Sequence, residues 1–173
     1  MALGPVRPNV RAVAEYLGSK YDIGTMYGVA LRDSVSDHPT GLAVDFMVGY
    51  GTSQSVQKGN ALVADARSNA GPMTIKYIIW RQHIWNFSAT GAPESDHDME
   101  NRGSITANHM DHVHISFYPG TAQLTGVGTP TSDATSDSGG MGSLLALAKS
   151  CAGLSLLMMA GTITGVLELL FHR

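Results

Sequence analysis

The chain changes character at Gly120, and this change limits how much of it can form a packed core. Residues 120–142 are rich in Gly, Thr, Ser and Asp and show no apolar periodicity, a composition typical of a flexible linker. The preceding 119 residues are long enough for one domain with its own core. We therefore expect a folded domain at residues 1–119, a linker at residues 120–142 and a separate segment at residues 143–173.

The segment at residues 143–173 is strongly apolar. No charged residue occurs from Cys151 to Leu167, and a helix of that length could cross most of a bilayer core of about 30 Å. Three interpretations stay open: a transmembrane helix that anchors the chain, an amphipathic helix at a membrane surface, and a helix that packs on a partner protein. At the other end, residues 1–9 lack the apolar run of a secretory signal peptide.

Periodicity within residues 1–119 indicates a mixture of helices and strands. Apolar residues spaced three and four apart predict a helix at residues 9–18, and helix-compatible residues predict a second at residues 53–69. Apolar or alternating runs predict strands at residues 25–31, 41–48, 75–80, 84–87 and 112–117. The polar residues 88–107 are interpreted as one long irregular loop. This mixture allows an α+β fold.

Charge and cysteine content restrict the classes of function. The formal net charge of -3 gives no sign of the basic surface that nucleic-acid binding requires, so no nucleic-acid partner is expected. The single cysteine, Cys151, excludes an internal disulfide framework and argues against a zinc site built from thiolates. Any metal is therefore expected to be bound by histidine and carboxylate.

Residues 36–45 carry the pattern S-x-H-x-x-G-x-A-x-D. The chain can turn at the proline and glycine inside this pattern, so that the His38 imidazole and the Asp45 carboxylate converge, each able to bind zinc at about 2.0–2.2 Å. His114 lies on a predicted strand and supplies a third ligand. The sequence therefore predicts a metal site of His38, Asp45 and His114, with a fourth position left for water.

Two motifs together resemble the M15 and LAS group of zinc peptidases, which includes D-Ala-D-Ala carboxypeptidases, phage L-Ala-D-Glu endopeptidases and a penicillin-insensitive murein endopeptidase. One motif is the pattern at residues 36–45, and the other is H-x-x-H-x-H at residues 109–114, as in the murein endopeptidase branch. Residues 6–118 as a whole are similar to an M15-like domain of actinobacterial secreted proteins and their phages. The resemblance implies an α+β fold with a central, mostly antiparallel sheet that carries a zinc (Zn2+) site and is flanked by helices. It also implies that His38, Asp45 and His114 are the ligands.

The resemblance further implies that His112 or His109 lies near the reacting water. In the carboxypeptidase branch a Glu three residues before the last ligand is the general base, and that position here is Asp111, one methylene shorter. We favour His109 or His112 over Asp111, because an unperturbed imidazole exchanges protons close to neutral pH. Arg32 resembles the Arg of the family's G-Y-R element and is a candidate for binding a substrate carboxylate or the developing oxyanion.

The leading interpretation is a zinc-dependent peptidoglycan peptidase that hydrolyses an amide of the stem peptide or cross-link through metal-activated water. The missing signal peptide and the hydrophobic tail favour a phage lytic enzyme, either an endolysin or a virion-associated lysin, that acts at the bacterial cell wall. Two alternatives stay open: a non-catalytic wall-binding or structural virion or membrane protein that retains the fold, and a zinc amidase that cuts the sugar-peptide bond. The expected partners are peptidoglycan and, through residues 143–173, a membrane or virion component.

Overall fold

The computed structural model describes residues 3–30, 36–125 and 127 of the chain. Within these residues the chain forms two α-helices and one six-stranded sheet, which confirms the α+β prediction. In chain order the elements are α1 Pro8–Lys20, β1 Met26–Tyr27, a 3-10 turn at His38–Thr40, β2 Ala43–Met47, α2 Ser53–Ser68, β3 Ile75–Trp80, β4 His83–Phe87, β5 Pro93–Asp98 and β6 His112–Phe117.

The sheet has the strand order β1-β2-β6-β3-β4-β5, and each neighbouring pair is antiparallel. Although β6 is the last of these strands in the chain, it lies between β2 and β3, so its residues occupy the middle of the sheet. Asp45 of β2 and Ile79 of β3 both lie directly opposite His114 of β6. Because cross-strand partners share a face of the sheet, this register brings a carboxylate and an imidazole side by side.

The two faces of the sheet differ because side chains alternate along each strand. One face carries apolar residues such as Val44, Phe46 and Val113, all with no exposed surface. The helices cover this face with residues such as Leu17 of α1 and Leu62 of α2, which are equally buried. Burial of each large apolar side chain contributes about 1.5–3 kcal/mol. This layer therefore supports the opposite face, on which the polar residues lie.

Both helices begin where the sequence satisfies or removes their first backbone N–H groups. Pro8 occupies the first turn of α1, where its missing N–H group costs little. A capping box starts α2, since Thr52 Oγ1 accepts from the Ser55 N–H at 3.0 Å and Ser55 Oγ accepts from the Thr52 N–H at 3.4 Å. The Asn9 amide then ties α1 to the end of the sheet by donating to the Tyr118 carbonyl at 3.0 Å.

The interpretation of residues 88–107 as one irregular loop is wrong in part, because Pro93–Asp98 forms the edge strand β5 and pairs with β4. Every side chain of β5 is exposed, so the segment has no apolar alternation that a sequence pattern could detect. Charged side chains are typical of edge strands, where they discourage pairing with other chains. The strand predicted at residues 25–31 is also shorter than expected, since β1 covers only Met26–Tyr27.

The structure describes only the beginning of the predicted linker, residues 120–125 and 127. There Ala122 and Leu124 pack against the core, and the Gln123 N–H donates to the Pro72 carbonyl at 2.8 Å. The hydrophobic segment at residues 143–173, with its three interpretations, lies outside the described residues. Within the described ranges, no helix is long and apolar enough to span a membrane.

The close contact between Gly59 of α2 and Trp80 of β3 provides a test of the packing. A Cβ atom at residue 59 would lie 2.4 Å from the Trp80 ring. The ring is 3% exposed and its Nε1 donates to Asn60 Oδ1 at 2.9 Å, so it cannot withdraw. We expect Gly59→Ala to lower the free energy of unfolding by roughly 1–3 kcal/mol, despite a helix propensity gain of about 1 kcal/mol. Urea denaturation measures this change.

The matched control is Gly24→Ala, because a Cβ atom at residue 24 would meet no other atom within 4 Å. This variant should unfold with a free energy within about 0.5 kcal/mol of wild type. Equal stability of the wild type and Gly59→Ala would contradict the described packing of α2 on β3.

Candidate metal site

Three buried side chains, His38, Asp45 and His114, meet on the polar face of the sheet. His38 Nε2 lies 3.2 Å from Asp45 Oδ1 and 3.3 Å from His114 Nδ1, and His114 Nδ1 lies 2.8 Å from Asp45 Oδ1. The residues are 1%, 5% and 6% exposed, respectively. This buried group could hold a metal ion, as the sequence predicts.

The spacing of the three ligand atoms suits a small tetrahedral ion. Ligand atoms about 2.1 Å from a tetrahedral zinc ion lie about 3.4 Å from one another. The two distances that involve His38 are close to this value. The Asp45–His114 distance is shorter, as expected for a direct hydrogen bond between them. Only this last distance would have to increase, by less than an ångström, to admit the ion.

A short turn brings His38 to the site. The 3-10 turn His38–Thr40 ends at Gly41, whose φ of 72° lies in the left-handed region that favours glycine. A Cβ atom at residue 41 would lie 3.1 Å from the Pro5 carbonyl oxygen, so the N-terminal segment packs closely on this turn. Asp45 then follows on β2. The proline and glycine within the motif therefore set the chain path between the first two ligands.

Hydrogen bonds behind the ligands determine which imidazole nitrogens face the site. His38 Nδ1 donates to the Gly28 carbonyl, so His38 Nε2 directs a lone pair toward Asp45. Without a metal, His114 Nδ1–H donates to Asp45 Oδ1 at 2.8 Å, and Nε2 can accept from the Ser116 hydroxyl at 3.2 Å. With the proton on Nε2 instead, His114 would donate to the hydroxyl and direct the Nδ1 lone pair to the site. Outer hydrogen bonds of this kind orient metal-binding imidazoles. Two lone pairs and a carboxylate oxygen thus converge, and a cation, whether a proton or a metal ion, stabilises them.

The electrostatics of the group favour the forms that bind metal. Burial of the Asp45 carboxyl opposes its ionisation, but its contacts with the imidazoles of His114 and His38 outweigh burial and hold its pKa well below the ordinary value. Burial lowers the pKa of His114, and the hydrogen bond to Asp45 offsets this only in part. Metal binding requires an ionised carboxylate and uncharged imidazoles. Both shifts act in that direction.

An open cleft of about 790 Å³ lies over the three candidate ligands. Besides the ligands, its lining includes Tyr77, Ile79, Arg102, Thr106, His109 and His112. The Tyr77 ring stacks on His114, with the ring centroids 5.5 Å apart, so one wall of the cleft also supports a ligand. Clefts of this size commonly bind small molecules or peptide segments.

His112 is oriented by a carboxylate. Its Nδ1 donates to Asp111 Oδ1 at 2.7 Å, and Thr106 Oγ1 donates to Asp111 Oδ2 at 2.8 Å. Burial of Asp111 favours its neutral form, but these hydrogen bonds outweigh burial and lower its pKa. The other nitrogen, His112 Nε2, lies 3.7 Å from Asp45 Oδ1. An uncharged His112 therefore presents a lone pair beside the ligands.

His109 lies against two of the other imidazoles. Its ring centroid is 4.7 Å from that of His112 and 5.7 Å from that of His114. Burial, together with repulsion from His112 and His114, lowers the pKa of His109 to about 3. Its Nδ1 is buried and has no hydrogen-bond partner among the residues that the structure describes. His109 is thus an uncharged side chain with one hydrogen-bonding position left for a ligand.

The predicted catalytic residues differ in where they lie relative to the cleft. His109 and His112 line the cleft. Asp111 lies behind His112 and contacts it through a hydrogen bond. Arg32 falls outside the described residues, so its predicted role stays a prediction.

The cleft is also lined by residues that were not predicted as functional, among them Tyr77, Arg102 and Thr106. Tyr77 lies within an apolar strand pattern, which gives no sign of the face that it occupies. Arg102 and Thr106 lie in the polar stretch between β5 and β6, and their position shortly before the H-x-x-H-x-H motif is the only signal in the sequence.

We expect the chain to bind one zinc ion, and we expect His38→Ala and Asp45→Ala each to abolish this binding. Equilibrium dialysis followed by elemental analysis measures the zinc content. His83→Ala is the matched control, because His83 pairs with the exposed Asp98 and does not line the cleft. Zinc content in His38→Ala equal to that of the wild type would contradict the assignment.

Zinc should also stabilise the folded chain, because an ion that binds only the folded state adds about 2.7 kcal/mol at a free concentration 100 times the Kd. Thermal unfolding with zinc and then with excess chelator measures this effect. A melting temperature that rises with zinc in the wild type and not in Asp45→Ala is the expected result; an equal rise in both would place the ion elsewhere.

The family model described as VldE, C-terminal domain, matches residues 2–110 of the chain. This range is more than half of the chain and includes His38 and Asp45, but it ends before β6, which carries His114. No curated protein and no solved structure matches the chain significantly. The resemblance to M15 peptidases stays a prediction, because the comparisons do not name that group. On the extent of the family match, the chain belongs to the VldE C-terminal domain family.

Proposed function

We propose that this chain is a zinc-dependent peptidase that hydrolyses a peptide bond of the bacterial cell wall. The observation that carries the proposal is the convergence of His38, Asp45 and His114 in an open cleft, with His112 oriented beside them. Histidines and a carboxylate are a common ligand set of catalytic zinc. The substrate class comes from the motif resemblance, since H-x-x-H-x-H is the pattern of the murein endopeptidase branch.

His38, Asp45 and His114 would hold the zinc ion, and the other residues of the cleft would handle protons and the peptide. When bound, zinc would supply a Lewis acid that polarises the scissile carbonyl and favours deprotonation of the attacking water. His112 is the general base of the proposal, because the Nδ1 proton is held by Asp111 and Nε2 is left to accept a proton in the cleft. The same nitrogen then returns a proton to the leaving amine.

Asp111 supports this role from behind. Its ionised carboxylate accepts from His112 Nδ1, and an adjacent negative charge stabilises the imidazolium that forms during proton transfer. The hydroxyl of Thr106 fixes the carboxylate through the second oxygen. Asp111 is therefore a positioning residue in the proposal and not the base, even though it occupies the position of the Glu in the carboxypeptidase branch.

His109 suits a different role. Its pKa of about 3 lies far below neutral pH, and a base this weak accepts a proton poorly in the transition state. Its buried and unpartnered Nδ1 is better suited to hydrogen-bond a peptide group of the substrate. The proposal therefore assigns proton transfer to His112 and substrate contact to His109.

The test is digestion of purified peptidoglycan with the full-length, zinc-loaded chain, followed by mass spectrometry of the released fragments. We expect fragments with a newly cut peptide bond, which disappear with chelator and in His38→Ala but persist in the control His83→Ala. Release of intact peptides from the sugar would instead identify an amidase. Absence of any release, with zinc still bound, would reject catalysis and favour a wall-binding or structural protein.

Kinetics of variants test the assignment of the base. We expect His112→Ala to lower kcat by about 10²–10⁴-fold and Asp111→Asn, which keeps the size of the side chain, to lower it by about 10–100-fold. Zinc content measured on the same samples separates lost proton transfer from lost metal. A large loss in Asp111→Asn together with near wild-type activity in His112→Ala would assign the base to Asp111.

A further inference from the structure

Arg102 gives the cleft over the metal site a positive charge that the proposed mechanism does not use. It is the one Arg or Lys among the described lining residues, and Asp45, which is occupied by the ligand histidines, is the one carboxylate among them. A bound divalent ion would add to this positive charge. The cleft is therefore electrostatically suited to a ligand that carries a negative charge.

The backbone around Arg102 is held in place by side-chain hydrogen bonds. The Arg102 N–H donates to Asn108 Oδ1 at 2.7 Å, and Asn101 Oδ1 accepts from both the Gly103 N–H and Asn108 Nδ2 at 2.8 Å. The loop is also attached to the turn between β3 and β4, because the Gln82 N–H donates to the Asn108 carbonyl at 2.9 Å. Arg102 therefore projects from a fixed point on the rim of the cleft.

Whereas the Arg102 backbone is hydrogen-bonded, its side chain has no partner among the described residues. Within residues 3–30, 36–125 and 127, its guanidinium makes no ion pair, hydrogen bond or aromatic contact. By contrast, Arg11 pairs with Glu15, and Arg67 lies over the Trp85 ring. A guanidinium in this position can bind a carboxylate through two parallel N–H donors, a geometry that Lys cannot reproduce.

We propose that Arg102 binds a carboxylate of the substrate and selects peptides that carry a free carboxylate near the scissile bond. This inference rests on the proposed peptidase function and deepens it by naming the substrate class. The carboxylate belongs either to the C-terminus of the peptide or to an acidic side chain. Both present the same fork of two oxygens to the guanidinium.

Equilibrium binding tests the proposal without requiring turnover. The probes are acetyl-L-alanyl-D-glutamyl-D-alanine, its C-terminal amide, its side-chain amide and the form with both amides. Each is titrated into the full-length, zinc-loaded chain and, separately, into the chain with chelator, with the backbone N–H signals of the cleft residues Ala107 and His109 followed by NMR. Chelator removes any direct contact between the probe and the metal, so a preference that remains belongs to the protein.

We expect the wild type to bind the free acid roughly tenfold more tightly than the double amide, the scale of one charged hydrogen-bonded contact. The single amide that loses this advantage identifies which carboxylate is bound. Arg102→Ala should bind the acid and the double amide equally, and Arg102→Lys should retain part of the preference. The matched control is Arg67→Ala, which removes the same charge from an exposed residue outside the cleft and should keep the full preference.

A preference retained in Arg102→Ala, or no preference in the wild type, would overturn the inference. Backbone NMR spectra and zinc content of the variants confirm that the fold and the metal site are intact. Failure of the proposed function has a different signature: no peptidoglycan is digested, while binding of the free acid still depends on Arg102.

Discussion

The buried carboxylate of Asp45 is the constraint on which the site depends. It is 5% exposed and lies on β2, directly opposite His114 of β6, and a buried ionised group is costly unless it is paired and hydrogen-bonded. His38 and His114 provide that pairing, and both are held in turn by the Gly28 carbonyl and the Ser116 hydroxyl. Loss of either histidine leaves a buried charge without part of its compensation. The same contacts therefore stabilise this part of the sheet and hold together the group that could bind a metal ion.

The sheet makes this arrangement possible because one of its faces packs in the core and the other carries the site residues. The apolar face packs under α1 and α2, and the resulting core keeps β2, β6 and β3 in fixed register. On the polar face the same register puts Asp45 opposite His114. A metal site also needs ligand side chains with fixed orientations. Here the outer hydrogen bonds to Gly28 and Ser116 restrain the imidazoles of His38 and His114. The loop before β6 completes the cleft with Arg102, Thr106 and His109. It also carries Asp111, which Thr106 contacts through a hydrogen bond.

Sequence patterns predict much of this fold because they follow burial. The periodicity of α1 reflects one buried face, whereas the alternation in His112–Phe117 separates a polar from an apolar face of a strand that is buried on both sides. The S-x-H-x-x-G-x-A-x-D motif predicts two ligands because its glycine permits the turn. β5 is not predictable in this way, since it pairs through its backbone and buries no side chain. The different roles of His109, His112 and Asp111 cannot be predicted from the sequence either, because the three residues lie within four positions of one another in the same motif. Only tertiary contacts distinguish the unpartnered His109 from the His112 that Asp111 orients.

Joint binding of one metal ion by His38, Asp45 and His114 can be observed by anomalous diffraction from zinc-loaded crystals, with data collected on both sides of the zinc absorption edge. We expect one strong anomalous peak about 2.0–2.2 Å from His38 Nε2, Asp45 Oδ1 and His114 Nδ1. Asp45 and His114 should separate slightly from their hydrogen-bonded distance of 2.8 Å. A zinc peak held by other residues, with the Asp45–His114 hydrogen bond intact, would show that these three residues are not the metal site.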